Sequence, residues 1–154
     1  MYRTPGMYME ALRRLDKAYR RYFQRELRAF ALTPGEVTAL LFLYNNAPHL
    51  DTATDIARCK GLSKALVARS VESLQQKGYL TAERDRRDRR VVHLALSEKS
   101  RPISREIGQK QDDILQKLGE GIAPGELEAA LQTLERLSEN ARKYLTGVSD
   151  DAQD

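Results

Sequence analysis

The chain has 154 residues, 41% of them hydrophobic, with no tryptophan and one cysteine. That suits one helix-rich domain, or a small domain with helical extensions, and no second full domain is expected. No apolar run approaches the ~20 residues that span a bilayer, the first residues lack the apolar core of a signal peptide, and Cys59 has no partner for an internal disulfide, so a cytoplasmic, membrane-free protein is expected.

The first helix is expected from about Met7 to Phe30, where Ala11, Leu15, Ala18, Tyr22, Leu27 and Phe30 recur at helical spacing and Leu12, Tyr19 and Phe23 widen the stripe. Thr33-Pro34-Gly35-Glu36 reads as a capping box with proline at the first helical position. It opens a second helix buried through Val37, Leu40, Leu41, Leu43 and Tyr44 and ending near Asn45-Asn46-Ala47-Pro48. Thr52 and Asp55 repeat the capping-box spacing before a short third helix over about 53–59, which Gly61 ends. Ser63 then caps a fourth helix to about Lys77, with Val67, Val71 and Leu74 on its apolar face and Gly78 as its stop.

Two strands follow, at 79–83 and 91–96, joined by Arg84-Asp85-Arg86-Arg87-Asp88-Arg89-Arg90. Ser97 caps a fifth helix carrying Ile103, Ile107, Ile114, Leu115 and Leu118, and Ala123-Pro124-Gly125 begins a sixth carrying Leu127, Leu131, Leu134, Leu137, Ala141 and Leu145. The fold class is therefore mainly α with a small β-hairpin wing: a winged helix-turn-helix over 33–97, dimerisation helices over 1–32 and 98–147, and a disordered acidic tail over 148–154. The stripes on helices one, five and six lie outside the core that the middle of the chain can form, and such stripes are normally buried against something.

Charge is unevenly distributed. The whole chain is only +4, yet residues 58–90 hold ten bases against four acids, while residues 91–154 hold eight bases against twelve acids. Local basicity of this kind is the footprint of a face that neutralises phosphates. A charge run alone is usually a solvated surface; one set in a hairpin directly behind a helix-turn-helix pattern points to double-stranded DNA. On the fourth helix the period turns Lys64, Ala65, Ala68, Arg69 and Glu72 away from the core face. Ser63 and the first backbone amides can meet a phosphate, Arg69 suits bidentate contact with guanine, and Ala65 and Ala68 allow close approach to thymine methyls. Leu66 fits either the core or the groove edge. Arg86 and Arg87 add charge in the wing.

The element order, and the string from Asp55-Ile56-Ala57 to Leu96-Ser97-Glu98-Lys99, resembles the MarR family of winged-helix transcription regulators. Leu74 through Gly78-Tyr79-Leu80 resembles that family's helix end and approach to the wing, and Arg84 to Arg90 resembles its wing loop, although Arg86 stands where the family commonly has a proline. The resemblance implies a homodimeric repressor whose first, fifth and sixth helices interlock, with Arg90 entering the minor groove and Asp88 pairing with it to fix its direction. It also implies a small, aromatic or phenolic ligand in a cleft between dimerisation helices and DNA-binding lobe, at the level of Tyr19, Tyr22, Phe23 and Tyr44.

His49, His93 and Cys59 share no metal-ligand spacing, so neither metal nor cofactor is expected. Cys59 reads as a small packing residue rather than a redox sensor. No nucleophile, base and orienter set is visible, which argues against an enzyme. The main alternative is a winged-helix structural or protein-interaction module that binds DNA nonspecifically through its arginines.

Overall fold

The computed structural model describes residues 5–150. Its elements are α1 (Pro5–Glu26), a 3₁₀ turn (Leu27–Phe30), α2 (Pro34–Asn46), α3 (Ala53–Lys60), α4 (Lys64–Gln76), β1 (Leu80–Arg84), β2 (Val92–Leu96), α5 (Ser100–Leu118) and α6 (Pro124–Asp150). The expected first helix thus ends four residues early as α-helix and tightens into the 3₁₀ turn, closed by Ala31 in the left-handed conformation. Within the expected acidic tail the helix continues through Asp150, a correction for residues 148–150; residues 151–154 lie outside the described residues. The chain forms two compact units that part between Ile114 and Leu115.

In the first unit both capping boxes form. Thr33 Oγ1 accepts the Glu36 amide while Glu36 takes the Thr33 amide, and Thr52 and Asp55 do the same at α3. These local bonds start the helices where the sequence says they should. Gly61 ends α3 at a φ of 63°, a left-handed position glycine adopts without strain, and Ser63 caps α4 by accepting the Leu66 amide. The turn between the two helices is therefore fixed at both ends.

α2 is the centre of this unit. Val37, Ala39, Leu40, Leu41, Phe42 and Leu43 are all buried, so the helix has no solvent stripe along its middle, as expected of an element packed on several sides. One side joins Ile56, Val67, Val71, Leu74, Leu80, Leu94 and Leu96 in a single apolar core. The antiparallel hairpin closes that core with Leu80 opposite Leu96 and Ala82 opposite Leu94. At the start of α2, Gly35 meets α4 so closely that a Cβ there would stand 2.5 Å from Ser70 Oγ. Any side chain would push the two helices apart or force Ser70 to turn.

The second unit is built on α6. Leu131, Leu134 and Leu137 recur along it at helical spacing and are exposed. At its start Gly119 packs against the Leu127 side chain, where a Cβ would stand 2.9 Å from Leu127 Cδ2.

Candidate nucleic-acid interface

Burial separates the faces of α4 as the period implies. Val67, Ser70, Val71 and Leu74 are buried; Ser63, Lys64, Ala65, Ala68, Arg69 and Glu72 are exposed. Leu66, open between core and groove edge on sequence grounds, is 37% exposed and lies beside Gly35, so it sits at the rim. The Ser63 oxygen is used by the cap, which leaves its O–H and the first helical amides facing outward. Arg69 donates Nε to the Ala65 carbonyl one turn back, at 3.3 Å, which leaves its two terminal nitrogens outside that bond. Its fork remains available to an outside acceptor.

The other end of α4 is clamped from behind. Glu36, 1% exposed, accepts Ser73 Oγ at 2.6 Å and Lys77 Nζ at 2.8 Å with Oε1, and the Thr33 amide at 2.7 Å with Oε2. Burial alone would raise the Glu36 pKa; the Lys77 ammonium, Ser73 hydroxyl and Thr33 amide together outweigh it and hold the carboxyl below its usual value. Lys77 Nζ also donates to the Ala31 carbonyl at 3.1 Å, and Lys99 Nζ reaches the Lys77 carbonyl at 3.0 Å. α4 is thereby tied to the start of α2 and to the turn that ends the first helix.

The wing turn is organised differently. Asp85 Oδ1 accepts the amides of Arg87 and Asp88 at 2.7 and 2.8 Å, and Asp88 Oδ1 accepts the Arg90 amide at 3.0 Å. These are aspartate turns that replace missing strand bonds. The expected side-chain pairing of Asp88 with Arg90 is corrected: the carboxylate binds the backbone of Arg90, and no ion pair among the described residues engages Arg84, Arg86, Arg87, Arg89 or Arg90. Five guanidinium groups stand exposed from the end of β1 through the turn that follows. Mutual repulsion of that kind is tolerated in water and relieved by phosphate.

Behind the lobe a cleft of about 560 Å³ opens between α1, the 3₁₀ turn and α2. Tyr19, Phe23, Leu27, Val37 and Leu41 form its apolar wall, and Arg20, Arg28, Lys60, Asp16 and Gln111 bring polar ends to it. Tyr19 stacks on Phe23 with centroids 4.7 Å apart, and Gln111 Nε2 donates to the Tyr19 hydroxyl at 2.7 Å. Burial raises the Tyr19 pKa, with the Gln111 bond opposing it, so the phenol stays protonated. Of the four aromatic residues expected at this level, Tyr19 and Phe23 line the cleft. Tyr22 and Tyr44 are not among its walls, a correction: Tyr22 meets Phe23 edge-on, and Tyr44 is 39% exposed at the end of α2. Arg28, Lys60 and Gln111 escaped sequence reasoning because nothing local connects residues so far apart in the chain.

Two further sequence readings change. Cys59 is exposed, so it is not a packing residue. His93, considered in the sequence only as a metal ligand, instead lies between the carboxylates of Asp51 and Asp85. No cluster of metal-ligating side chains occurs among the described residues. Nor is any described helix long and apolar enough to cross a membrane.

Residues 32–91, which run from just before α2 to the end of the wing turn, match the model of the MarR family. Solved structures extend the likeness over the fold. A MarR protein from Peptoclostridium difficile is 17% identical with a TM-score of 0.82, covering 96% of this chain and 95% of that one. MepR of S. aureus, solved as a DNA complex, is 19% identical with a TM-score of 0.76, covering 86% and 97%. BpsR of Bordetella bronchiseptica, whose DNA binding is regulated by 6-hydroxynicotinic acid, is 23% identical with a TM-score of 0.73, covering 90% and 97%. The winged lobe is thus similar to the MarR family, and the whole chain shares its fold with these solved regulators.

Proposed function

We propose that the protein is a homodimeric repressor that binds a palindromic operator and is released by a small anionic aromatic ligand. The observation that carries the reading is the pairing of an exposed α4 face with a wing whose five arginines have no ion-pair partner among the described residues. In this reading Ser63, Lys64, Ala65, Ala68 and Arg69 enter the major groove, Arg90 the minor groove, and Arg86, Arg87 and Asp88 hold the wing against the backbone. Association follows from the apolar residues left exposed on the terminal helices, Met7, Leu12 and Leu15 on α1 and Leu131, Leu134 and Leu137 on α6. A second copy of the chain is the partner that repeats the same surface. Two lobes related by a two-fold axis read half-sites roughly 10 base pairs apart.

The cleft supports the ligand. Its volume falls within the roughly 300–1,000 Å³ of small-molecule sites. Arg20 is paired with Asp16 at 2.8 Å, leaving Arg28 and Lys60 as the cations that face an acid beside the Tyr19–Phe23 stack. Ala31 and Pro34 line the same cleft and adjoin the Glu36–Lys77 clamp on α4, so a ligand that displaces them shifts the helix. A preference of about 1–3 kcal/mol for the shifted state changes operator occupancy by roughly five- to 150-fold.

Selection of duplexes from a random pool, followed by footprinting and equilibrium sedimentation, tests this reading. A palindromic footprint bound by a dimer, with preference for one sequence beyond the salt-dependent background, is the expected result; a short asymmetric site or sequence-indifferent binding favours the nonspecific module. Planar aromatic acids are expected to weaken binding, and Cys59→Ser to leave that response intact. Peroxide sensitivity that disappears in Cys59→Ser, with no response to the acids, would make the protein a thiol sensor instead.

A further inference from the structure

His93 on β2 carries two hydrogen bonds that a neutral imidazole cannot both make. Nδ1 lies 2.8 Å from Asp51 Oδ1, in the loop between α2 and α3, and Nε2 lies 3.3 Å from Asp85 Oδ2, at the root of the wing turn. Carboxylates only accept, so serving both requires an N–H on each ring nitrogen, which is the imidazolium. Neutral His93 would keep one bond and turn a lone pair toward the other carboxylate. Glu83, the cross-strand partner on β1, shares this face of the hairpin, and β2 itself carries no other charged residue. The groups placed around the ring are thus three acids.

Each carboxylate that His93 joins has structural work of its own. Asp85 uses its other oxygen to hold the Arg87 and Asp88 amides and so shapes the wing turn. Asp51 is fixed from the other side, because its backbone carbonyl accepts the Leu94 amide at 2.8 Å. The imidazolium therefore ties the carboxylate that organises the wing to a corner anchored on the core strand. We propose that His93 is a wing-positioning residue, clamping the arginine turn to the Asp51 corner and making the wing's grip on DNA depend on pH.

The Asp51 and Asp85 bonds raise the His93 pKa above its usual value against a smaller opposing effect of burial, and Asp85 is lowered by the Asp88 and Arg87 amides and then by His93. A raised histidine favours the clamped wing at low pH. The clamp is complete below the ordinary histidine pKa and is lost as pH rises through the raised one.

This inference rests on the DNA-binding reading, and its test separates the two. Affinity of the full chain for a fluorescent duplex, selected by that chain from a random pool, is measured at constant ionic strength from about pH 5.5 to 8.5. Wild-type affinity is expected to fall several-fold across the range, with about tenfold as the ceiling for each unit of pKa difference between bound and free wing. His93→Gln and Asp51→Ala flatten the profile. Asp51→Ala keeps the histidine but removes the oxygen that anchors it, so a full pH slope in that variant would overturn positioning in favour of simple charge attraction to phosphate. An unchanged slope in His93→Gln would overturn the proposal outright. In the free chain, NMR titration of the two histidines, assigned by the signal lost in His93→Gln, is expected to place His93 above its usual pKa, with the Arg87 and Asp88 amides following the same titration. A His93 that titrates at or below the ordinary value removes the clamp. Failure to select any duplex sinks the DNA-binding reading, while the free-chain titration still decides the clamp.

Discussion

α4 and the wing turn are near neighbours in the chain, yet they are held by opposite means. α4 is fixed by burial: its apolar face is sealed in the core, and its far end is clamped by the buried Glu36 carboxylate through Ser73 and Lys77. The wing turn has almost no buried surface and takes its shape from two aspartates that bind backbone amides in the open. A helix held by packing presents its side chains in one geometry at low entropic cost. A loop held by exposed hydrogen bonds can adjust to a groove and respond to pH and salt.

The sharpest way to break this contrast is to remove the clamp. Glu36→Ala leaves Lys77 and Ser73 facing a void and is expected to cost about 3 kcal/mol of stability, read by denaturant unfolding. Its pH dependence has a definite sign. Because the folded pKa of Glu36 is depressed, the stabilisation is present above the ordinary carboxylate pKa and is lost as pH falls through the folded value. Glu36→Gln should therefore flatten the acid limb of the stability curve. No comparable loss is expected from any wing substitution.

Affinity sharpens the contrast at the next scale. Arg69→Ala is expected to cost about 1–3 kcal/mol in operator binding and to relax preference at one base pair in each half-site, as loss of a base contact does. Arg90→Ala should weaken binding at least as much as Arg86→Ala. Small, equal losses at every wing arginine, each reducing only the salt dependence, would show that the wing is a phosphate-binding loop without groove preference.

What could be read in the sequence was local. Both capping boxes, the Gly61 stop, the Ser63 cap and the buried period of α4 depend on residues within four positions of each other, and each stands where expected. The bonds that set the geometry of the site are not local. Glu36 and Lys77 lie 41 residues apart and Asp51 and His93 lie 42 apart, so no periodicity links them. The aromatic residues show the same limit at finer scale. Helical spacing groups Tyr19, Tyr22 and Phe23 on one broad stripe, but only the folded chain decides that Tyr19 and Phe23 line the cleft while Tyr22 does not. Tyr44 continues the pattern of α2 into its last turn, beyond the reach of the core.

The smallest effect concerns how Asp88 acts. A resemblance to related wings implies a charge pair with Arg90, whereas the structure has Asp88 Oδ1 accepting the Arg90 amide at 3.0 Å. The two arrangements answer differently to a pair of substitutions. Asn keeps an oxygen that accepts the amide and discards the charge, while Ala discards both. If the carboxylate works through the backbone, Asp88→Asn retains nearly full affinity and Asp88→Ala loses about 0.5–1.5 kcal/mol, the net worth of one hydrogen bond. If it works by pairing with the guanidinium, both variants lose affinity alike, and the loss shrinks with added salt. Neither should move the unfolding midpoint, because the turn contributes little to the core. A midpoint that fell with affinity would mean that the wing turn and the core are one cooperative structure, and the division between packed helix and polar loop would have to be redrawn.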